Sequence, residues 1–292
     1  MNVLHAASEC VPLAKTGGLA DVLGALPGAQ AALGVDVRVV IPAYRGTIAR
    51  LAGAREVGAL LVRGQRFGIV EGTNAGATTW LLDCPGLYDR AGDPYHDANA
   101  QPHGDNAWRF GCFGEAVARL ARGEGTGWRA DILHGHDWQA GSALALASDA
   151  GDAARRVFTI HNLAYAGVFG RVDFDALGWP SHWWDPRHGE FYGAFSFLKA
   201  GLVTAHAITT VSPRYAEEIR TPAFGCGLDG VLRERADRLT GILNGIDVAT
   251  WDPRTDARLA RRYGPRDVTA GKRANAQALR ARLGLVDDGA FL

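Results

Sequence analysis

A loop near the N-terminus, Lys15-Thr16-Gly17-Gly18, combines residue types that suit an anionic ligand. The two glycines let a ligand approach the backbone closely, and the start of a helix directs free N–H groups at it. The lysine adds a mobile positive charge that suits a phosphate or a leaving group. The loop is neither a Walker A loop nor a G-x-G-x-x-G dinucleotide loop. An ordinary glycine turn with an exposed lysine explains the pattern equally well.

A second polar cluster, His134-Gly135-His136-Asp137-Trp138, contains two histidines and an aspartate within four residues. Histidine and carboxylate are common metal ligands, so a metal-dependent hydrolase built on His134, His136 and Asp137 is one hypothesis. On a strand, however, the two histidines share a face from which the aspartate points away. We favour a loop that contacts a polar ligand, in which Asp137 accepts hydroxyl groups or supports a histidine.

Two polar residues, His161 and Asn162, follow a short apolar run that is predicted to be a strand. A lone histidine is usually structural, but this one lies at a strand's carboxyl end beside an amide. A functional role is therefore an equal alternative. Asp173-Phe174-Asp175 matches a pattern with which some enzymes hold a metal. It follows no strand, and a turn or a helix cap explains it better.

Two further patterns are interpreted as structural. Gly271-Lys272-Arg273 lacks the rest of a P-loop and is predicted to be a helix surface. Five aromatic residues could stack on a ligand's rings, but we favour a core under a long loop. They are Trp179, Trp183, Trp184, Phe191 and Tyr192.

Short apolar runs alternate with helical stretches, which predicts an α/β fold with a Rossmann-like parallel sheet covered on both faces. The predicted strands are 3–7, 35–41, 131–134, 157–161, 207–212 and 239–244. The predicted helices are 19–33 with a break at Pro27, 108–120, 140–148, 195–204 and 213–219. Ligands bind beyond the carboxyl ends of such strands. We therefore expect five segments to share one edge: Ser8-Glu9, His134 to Trp138, His161-Asn162, Ser212-Pro213 and Asn244-Gly245.

Two regions depart from this alternation. Residues 57–82 contain short β-rich runs separated by glycines, which predicts an antiparallel meander attached to the main sheet. From Arg254 onwards the chain is basic and helical in propensity.

The composition argues against several classes of protein. The 31 basic and 31 acidic residues cancel and form no block of like charge, so nothing indicates a nucleic acid or membrane partner. The four cysteines are far apart and form no Cys-x-x-Cys pair, which fits a reducing compartment. The N-terminus lacks the features of a signal peptide, and no apolar run approaches roughly 18 residues. We predict a soluble cytoplasmic protein.

Taken together, these segments resemble the bacterial glycogen synthases and plant starch synthases. The similarity covers essentially the whole chain in the expected order, and KTGGLADV and IHNLAYxG are its most specific segments. The matching pieces are ASECVPLAKTGGLADVLGALP (7–27), PYHD (94–97), HGHDWQAG (134–141), FTIHNLAYAGVF (158–169), SFLKAGL (196–202), TVSPRYAEEI (210–219) and GILNGIDVATWDP (241–253).

The resemblance implies a GT-B glycosyltransferase, in which two Rossmann-like domains face each other across a cleft. Such enzymes transfer glucose from ADP-glucose to the non-reducing 4-hydroxyl of an α-1,4-glucan such as glycogen. They retain the anomeric configuration and require no metal or other cofactor. Residues 1–243 would be the N-terminal, acceptor-side catalytic domain. Residues 244–292 would be the hinge and the start of the C-terminal nucleotide-binding domain.

The resemblance also implies roles for individual residues. It places Lys15 at the sugar nucleotide, Gly17 and Gly18 near the diphosphate, and Asp21 behind the loop. The positions that match the surroundings of the transferred glucose are Asp137, His161 and Asn162, with His161 the usual candidate for stabilising the oxocarbenium-like state. The remaining matches are Glu9, Tyr95 and Trp138 beside the acceptor glucan and Asn244 on the hinge side of the cleft.

The sequence departs from the family in two places. Gly135 and Gln139 stand where the family more often has alanine and histidine, which puts one acceptor contact in doubt. The chain also ends before the family's second domain, so these 292 residues alone are expected to show no synthase activity. Besides the metal-dependent hydrolase, the alternatives are a related glycosyltransferase with another nucleotide or acceptor and a non-catalytic glucan-binding remnant.

Overall fold

The computed structural model describes residues 1–248 and 251–286. The chain folds into two compact units, a large one, Met1–Asn244, and a small one that begins at Gly245. The strands are β1 Asn2–Ala6, β2 Asp36–Pro42, β3 Ala52–Val62, β4 Gln65–Asn74, β5 Ala77–Asp83, β6 Ile132–His136, β7 Arg155–Ile160, β8 Val168–Phe169, β9 Glu190–Phe191, β10 Ala194–Ser196, β11 Ala207–Thr210 and β12 Leu239–Gly241.

The helices are short apart from three of 13 to 16 residues. They are α1 Gly18–Leu23, α2 Leu26–Ala31, α3 Thr47–Arg50, α4 Pro85–Tyr88, α5 Asn106–Ala121, α6 Asp137–Asp149, α7 Arg171–Ala176, α8 Phe197–Thr204, α9 Pro213–Glu218, α10 Asp229–Glu234 and α11 Val268–Leu283, with 3-10 turns at Ser181–Trp183 and Ala236–Arg238. Within the described ranges no helix is long and apolar enough to cross a membrane.

A nine-stranded sheet in the order β12-β11-β7-β6-β1-β2-β5-β4-β3 forms the centre of the large unit. The strands from β12 to β5 pair in parallel, which confirms the predicted parallel sheet. The strands β3, β4 and β5 pair antiparallel, and this is the predicted meander at the edge of the main sheet. A separate three-stranded sheet, β8-β10-β9, was not predicted.

Both faces of the main sheet are buried, as the apolar runs predict. Neighbouring residues of β2 belong to different core clusters: Val40 to one, Val39 and Ile41 to the other. Helices α5, α6 and α8 contribute to the first cluster, and α1 contributes Leu19 and Leu23 to the second. A parallel sheet covered in this way has only the ends of its strands free for a ligand.

The predicted break in the first helix is confirmed. The chain forms α1 and α2 instead of one helix, and Pro27 occupies the first turn of α2, where its missing N–H costs nothing. Strand β6 is longer than predicted. It continues through Gly135 and His136, which pair with Phe158 and Thr159 of β7, so the sheet imposes strand structure on polar residues.

The patterns interpreted as structural are largely confirmed. Trp179 and Trp183 are buried in the main core, whereas Tyr192 is 81% exposed. Asp173 and Asp175 lie within α7, whose N-cap is Gly170, so the predicted turn or cap is wrong. Asp175 forms an ion pair with Arg171.

The small unit contains α11, in which Gly271, Lys272 and Arg273 lie as predicted on a helix. Lys272 and Arg273 are exposed. Gly271 is buried because the Tyr263 ring packs against it, and an added Cβ would lie 2.3 Å from that side chain. The side chain of Asn275 bonds to the backbone of Arg261, which ties the preceding loop to the helix.

Candidate functional site

A cavity of about 700 Å³ opens at the carboxyl ends of the parallel strands. The chain leaves β1 towards β2 on one side, while β6 and β7 lie on the other, so β1 and β6 flank a topological switch point. Nine of the eleven predicted site residues line the cavity, and Lys15 and Asp21 do not. The nine are Glu9, Gly17, Gly18, Tyr95, Asp137, Trp138, His161, Asn162 and Asn244.

The loop after β1 is held by the carboxylate of Glu9, which is only 3% exposed. One oxygen accepts hydrogen bonds from the N–H groups of Thr16 and Gly17, the latter at 3.1 Å. The other oxygen accepts from the Thr16 hydroxyl at 2.6 Å and from the Tyr95 hydroxyl. Burial raises the pKa of the Tyr95 hydroxyl well above its ordinary value, so this group remains a donor. Glu9 therefore fixes the shape of the glycine loop.

The glycines of this loop are explained neither by backbone strain nor by packing. Gly17 has an extended φ of −144°, which any residue adopts. An added Cβ on Gly17 or on Gly18 would meet no protein atom within 4 Å. The missing side chains therefore leave open space on the cavity side, as expected where a ligand approaches the backbone. An exposed glycine turn would leave the same space, so anion binding by this loop stays a prediction.

Lys15 and Asp21 lie beside this loop but outside the cavity lining. The Lys15 ammonium donates to both carboxylate oxygens of Asp21, at 2.6 and 2.8 Å. Both side chains are more than half exposed. Lys15, which was predicted to contact the sugar nucleotide, is thus paired with Asp21, which was predicted to lie behind the loop.

Asp137 holds the second loop of the site, the one that follows β7. Its Oδ1 accepts hydrogen bonds from the backbone N–H groups of His161 and Asn162, at 2.7 and 3.4 Å. Burial raises the pKa of this carboxyl group to about 7, because the two N–H donors do not compensate for lost hydration. Asp137 also has a φ of +54°, a left-handed conformation that aspartate tolerates better than most residues.

Four histidines form a cluster at the cavity, of which His161 lines it and His5, His134 and His136 do not. The rings of His134 and His136 stack with centroids 4.2 Å apart, and that of His5, on the neighbouring strand, lies 4.7 Å from His134. His136 bonds through its Nδ1 to His161 Nε2 at 3.0 Å. The sequence indicated three of these histidines, but it gave no signal for His5. Its partners are about 130 residues away, and only the pairing of β1 with β6 brings them together.

The metal site proposed from His134, His136 and Asp137 does not assemble. Among the described residues, the one group with metal-ligand spacing is His5, His134 and His136. The Asp137 carboxylate instead bonds to the backbone of the next loop. The histidine nitrogens are also largely occupied. Both nitrogens of His5 and of His136 are hydrogen-bonded, and His134 Nε2 bonds to Thr159.

The predicted glucan-side aromatic residues differ in accessibility. Trp138 is only 9% exposed, because the Phe110 ring packs against it at 4.9 Å and Gly167 covers it. Tyr95 is half-buried, and its hydroxyl bonds to Glu9 and to Ser8. Tyr165 lines the cavity and is 66% exposed, which makes it the better stacking surface, although sequence reasoning did not select it.

Other lining residues were also missed, and they belong to the loop before α5, to α5 and to α6. Asp93 directly precedes the PYHD segment, His96 belongs to it, and Asn106 begins α5 and donates to the Tyr95 carbonyl at 3.0 Å. Gln139 was noted only as a departure from the family. It lines the cavity and is 5% exposed, and its Oε1 has no hydrogen-bond partner within residues 1–248 and 251–286.

The fold and the site define a class. A mainly parallel sheet, a polar cavity at its switch point and an open glycine loop form the Rossmann-like half of a GT-B glycosyltransferase. A family model described as the starch synthase catalytic domain matches residues 2–234. The chain belongs to this family.

Individual relatives agree with this assignment. Glycogen synthase 2 of Nitrosococcus oceani is 46% identical over 98% of this chain and 59% of its own length. The glycogen synthase of Marinobacter nauticus is 47% identical over 100% of this chain and 61% of its own. The catalytic domain of starch synthase IV from Arabidopsis thaliana, bound to ADP and acarbose, superimposes with a TM-score of 0.82 at 30% identity, covering 98% of this chain and 60% of that one. The chain thus spans about 60% of the length of these relatives.

Proposed function

We propose that this chain carries the acceptor-side half of a glucan synthase active site. The complete enzyme would transfer glucose from ADP-glucose to the non-reducing end of an α-1,4-glucan such as glycogen, with retention and without a metal. The large unit would be the N-terminal domain, and the residues from 244 onwards the hinge and the start of a nucleotide-binding domain. The free thiols of all four cysteines are compatible with a cytoplasmic protein.

One observation carries the proposal: an unobstructed glycine loop and the Asp137–His161 pair line the same cavity. The glycine loop suits a diphosphate and the Asp137–His161 pair suits a sugar, so their presence in one cavity suits a sugar nucleotide. The names of the relatives indicate the nature of the product, and the starch synthase IV structure, which is bound to ADP, indicates the nucleotide.

On the donor side, departure of ADP would build negative charge on the β-phosphate. Glu9 already occupies the N–H groups of Thr16 and Gly17, so the donors left for the phosphate are those in the first turn of α1. Lys15 would add its charge after leaving Asp21. Preorganised N–H dipoles and a lysine stabilise such a leaving group without a metal.

At the sugar, His161 would bond to a hydroxyl of the transferred glucose and stabilise the oxocarbenium-like state. Burial lowers the pKa of His161 to about 4, so the imidazole is neutral near pH 7 and adds no charge that would oppose the cation. Asp137 would position the backbone of the same loop through its bonds to His161 and Asn162. The glucan would lie along Tyr95, Trp138 and Tyr165, with Asn244 on the hinge side.

The proposal can be tested in a chimera. This chain would replace the matching segment of the Marinobacter nauticus glycogen synthase, which supplies the remainder of a full-length relative. We expect glucose transfer from ADP-glucose to glycogen, with less from UDP-glucose. The chimera carrying His161→Ala is the matched control and should lose most of the activity. A folded chimera with no transfer from either nucleotide would contradict the proposal.

Acceptor binding can be tested on the chain itself. Titration with maltohexaose, followed by tryptophan fluorescence or calorimetry, should show binding that Tyr165→Ala weakens by about tenfold. Tyr192→Ala, which removes an exposed aromatic ring outside the cavity lining, is the matched control. Equal binding by both variants would exclude the cavity as the glucan site.

A further inference from the structure

Three of the four clustered histidines form a continuous hydrogen-bonded row that ends at the cavity. The Oε1 of Gln30 lies 2.7 Å from His5 Nε2, His5 Nδ1 lies 3.0 Å from His136 Nε2, and His136 Nδ1 lies 3.0 Å from His161 Nε2. In each contact the Nε2 of one ring faces either the Gln30 oxygen or the Nδ1 of the neighbouring ring. Among residues 1–248 and 251–286, none hydrogen-bonds to the last nitrogen, His161 Nδ1.

The three rings are neutral near pH 7. Burial lowers the pKa of His5 and of His161 to about 4, and it lowers the pKa of His136 well below its ordinary value. A neutral imidazole carries a single N–H, so one nitrogen donates and the other accepts. In a row of such rings, the direction of one hydrogen bond therefore determines the direction of all the others.

The Gln30 amide is oriented with its Oε1 towards His5, and because this oxygen only accepts, the contact fixes the direction. His5 must then donate from Nε2 and accept at Nδ1, which makes His136 the donor from its own Nε2. The same step repeated makes His161 donate from Nε2 to His136 Nδ1. The unprotonated Nδ1 of His161 is left for the cavity, which this half-buried side chain lines.

We propose that Gln30, acting through His5 and His136, sets the tautomer of His161 so that the ring offers an acceptor to a ligand hydroxyl. Gln30, His5 and His136 are positioning residues, since none of them lines the cavity. The identity of the ligand rests on the proposed function: the hydroxyl would belong to the glucose of the sugar nucleotide. The opposite tautomer would present an N–H and would favour a carbonyl or an anion instead.

The surroundings keep the row in place from two sides. His134 stacks on His136 and is anchored through Thr159 to Thr209, with both contacts at 2.6 Å. The backbone N–H of His161 is bonded to Asp137, so its main chain and its ring are constrained independently. Because the ring of His161 is held in place, its tautomer can change while its heavy atoms stay where they are. A change of tautomer without a change of structure distinguishes the proposed role from a purely structural one.

The test is the protonation pattern of the histidine rings, measured by long-range ¹H–¹⁵N correlation on ¹⁵N-histidine-labelled chain at pH 7.5. We expect His5, His136 and His161 all to be neutral Nε2–H tautomers. Gln30→Glu keeps the acceptor and should leave this pattern unchanged. Gln30→Lys offers only donors and should reverse the row, so that His161 carries its proton on Nδ1.

Each outcome decides the proposal. A wild-type His161 protonated on Nδ1 overturns it, and so does a folded Gln30→Lys variant in which His161 keeps its tautomer. Backbone amide spectra show whether that variant is folded, and if it is not, the wild-type and Gln30→Glu patterns still decide. His182, which lies outside the row and pairs with Asp149, is the internal control and should not respond.

A second arm separates this inference from the proposed function. Addition of ADP-glucose should shift the His161 Nδ1 resonance of the wild type, and Gln30→Lys should weaken ADP-glucose binding by at least tenfold. The expected tautomers without any response to ADP-glucose would support the row and count against the proposed donor. A response to ADP-glucose together with the opposite tautomer of His161 would support the proposed donor and count against the histidine row.

Discussion

Glu9 and Asp137 both use a carboxylate to hold the backbone of a neighbouring loop, but their surroundings differ. Glu9 accepts four hydrogen bonds that engage both oxygens, two from N–H groups and two from hydroxyls. Asp137 accepts two, both at Oδ1, and no described residue donates to its Oδ2. Hydrogen-bond donors stabilise the ionised form of a buried carboxylate. When a buried carboxylate has too few donors, its pKa rises and its neutral form is favoured.

This difference assigns separate tasks to the two loops. The loop held by Glu9 is fixed in advance, and its open glycines are left for a ligand. The loop held by Asp137 depends on a group whose pKa is raised to about 7, so its charge changes within the physiological range. We therefore expect changes in the Glu9 loop to affect binding of the sugar nucleotide, and changes in the Asp137 loop to affect the pH dependence of stability.

The largest effect is expected from Glu9→Ala. It leaves two backbone N–H groups and the hydroxyls of Thr16 and Tyr95 without their acceptor, which should lower the free energy of unfolding by roughly 4 kcal/mol. Urea denaturation measures the loss, and amide exchange at Thr16 and Gly17 should accelerate. Asp137→Ala at pH 8 is the comparison and should cost less. Equal losses of unfolding free energy in the two variants would contradict the distinction between Glu9 and Asp137.

The second prediction concerns pH. The folded-state pKa of Asp137 lies above its ordinary value of 3.8, so its contribution to stability is fully present below that value and is lost as pH rises through about 7. Asp137→Asn cannot titrate. Between pH 5 and pH 7, the wild type should therefore lose roughly 2 kcal/mol of unfolding free energy relative to this variant.

The measurement is urea denaturation of both proteins at each pH, expressed as a difference. Subtracting the two free energies of unfolding is needed because the buried histidines change the stability of both proteins, and their contribution is lost as pH falls, not as it rises. The pKa of His5 is lowered to about 4, so its contribution is present above its ordinary 6.5 and is lost as pH falls. Asparagine also tolerates the positive φ of position 137, so backbone strain is unchanged. A difference independent of pH would contradict the raised pKa.

Much of this site could be predicted because parallel strands end at one edge. The positions of Glu9, Asp137, His161 and Asn244 follow from the strand pattern and from that single rule. The partners of each residue could not be predicted in the same way. That Glu9 turns back to hold Thr16 depends on the path of a loop, which has no periodicity to detect.

The histidine row shows the same limit in a strand. His5 lies in a short apolar run and has no polar neighbour in sequence, so its role appears only when β1 pairs with β6. The small sheet β8-β10-β9 was missed for another reason. Its strands contain two or three residues, too few to show alternation. Trp138 was selected by its place in a motif, but packing with Phe110 buries it.

The third prediction compares two glycines. Gly17→Ala adds a Cβ that meets no protein atom, so stability should change by less than about 0.5 kcal/mol while ADP binding weakens about tenfold. Gly167→Ala is the matched control. Its φ is +56° and its Cβ would lie 2.5 Å from the Trp138 ring, so the free energy of unfolding should fall by roughly 2 kcal/mol. Unaltered ADP binding by Gly17→Ala would mean that the open space serves no ligand.

The smallest effect is expected at a third carboxylate, Asp21, which is exposed and, among the described residues, pairs with Lys15 alone. Because exposed ion pairs are screened by water, Asp21→Asn should change the free energy of unfolding by about 0.5 kcal/mol or less. It also releases the lysine, so ADP should bind about twofold more tightly at low salt, with the gain disappearing at high salt. Lys15→Ala should abolish that gain in the double variant. Weaker ADP binding by Asp21→Asn would instead show that Asp21 positions the lysine for the ligand, as the buried carboxylates position their loops.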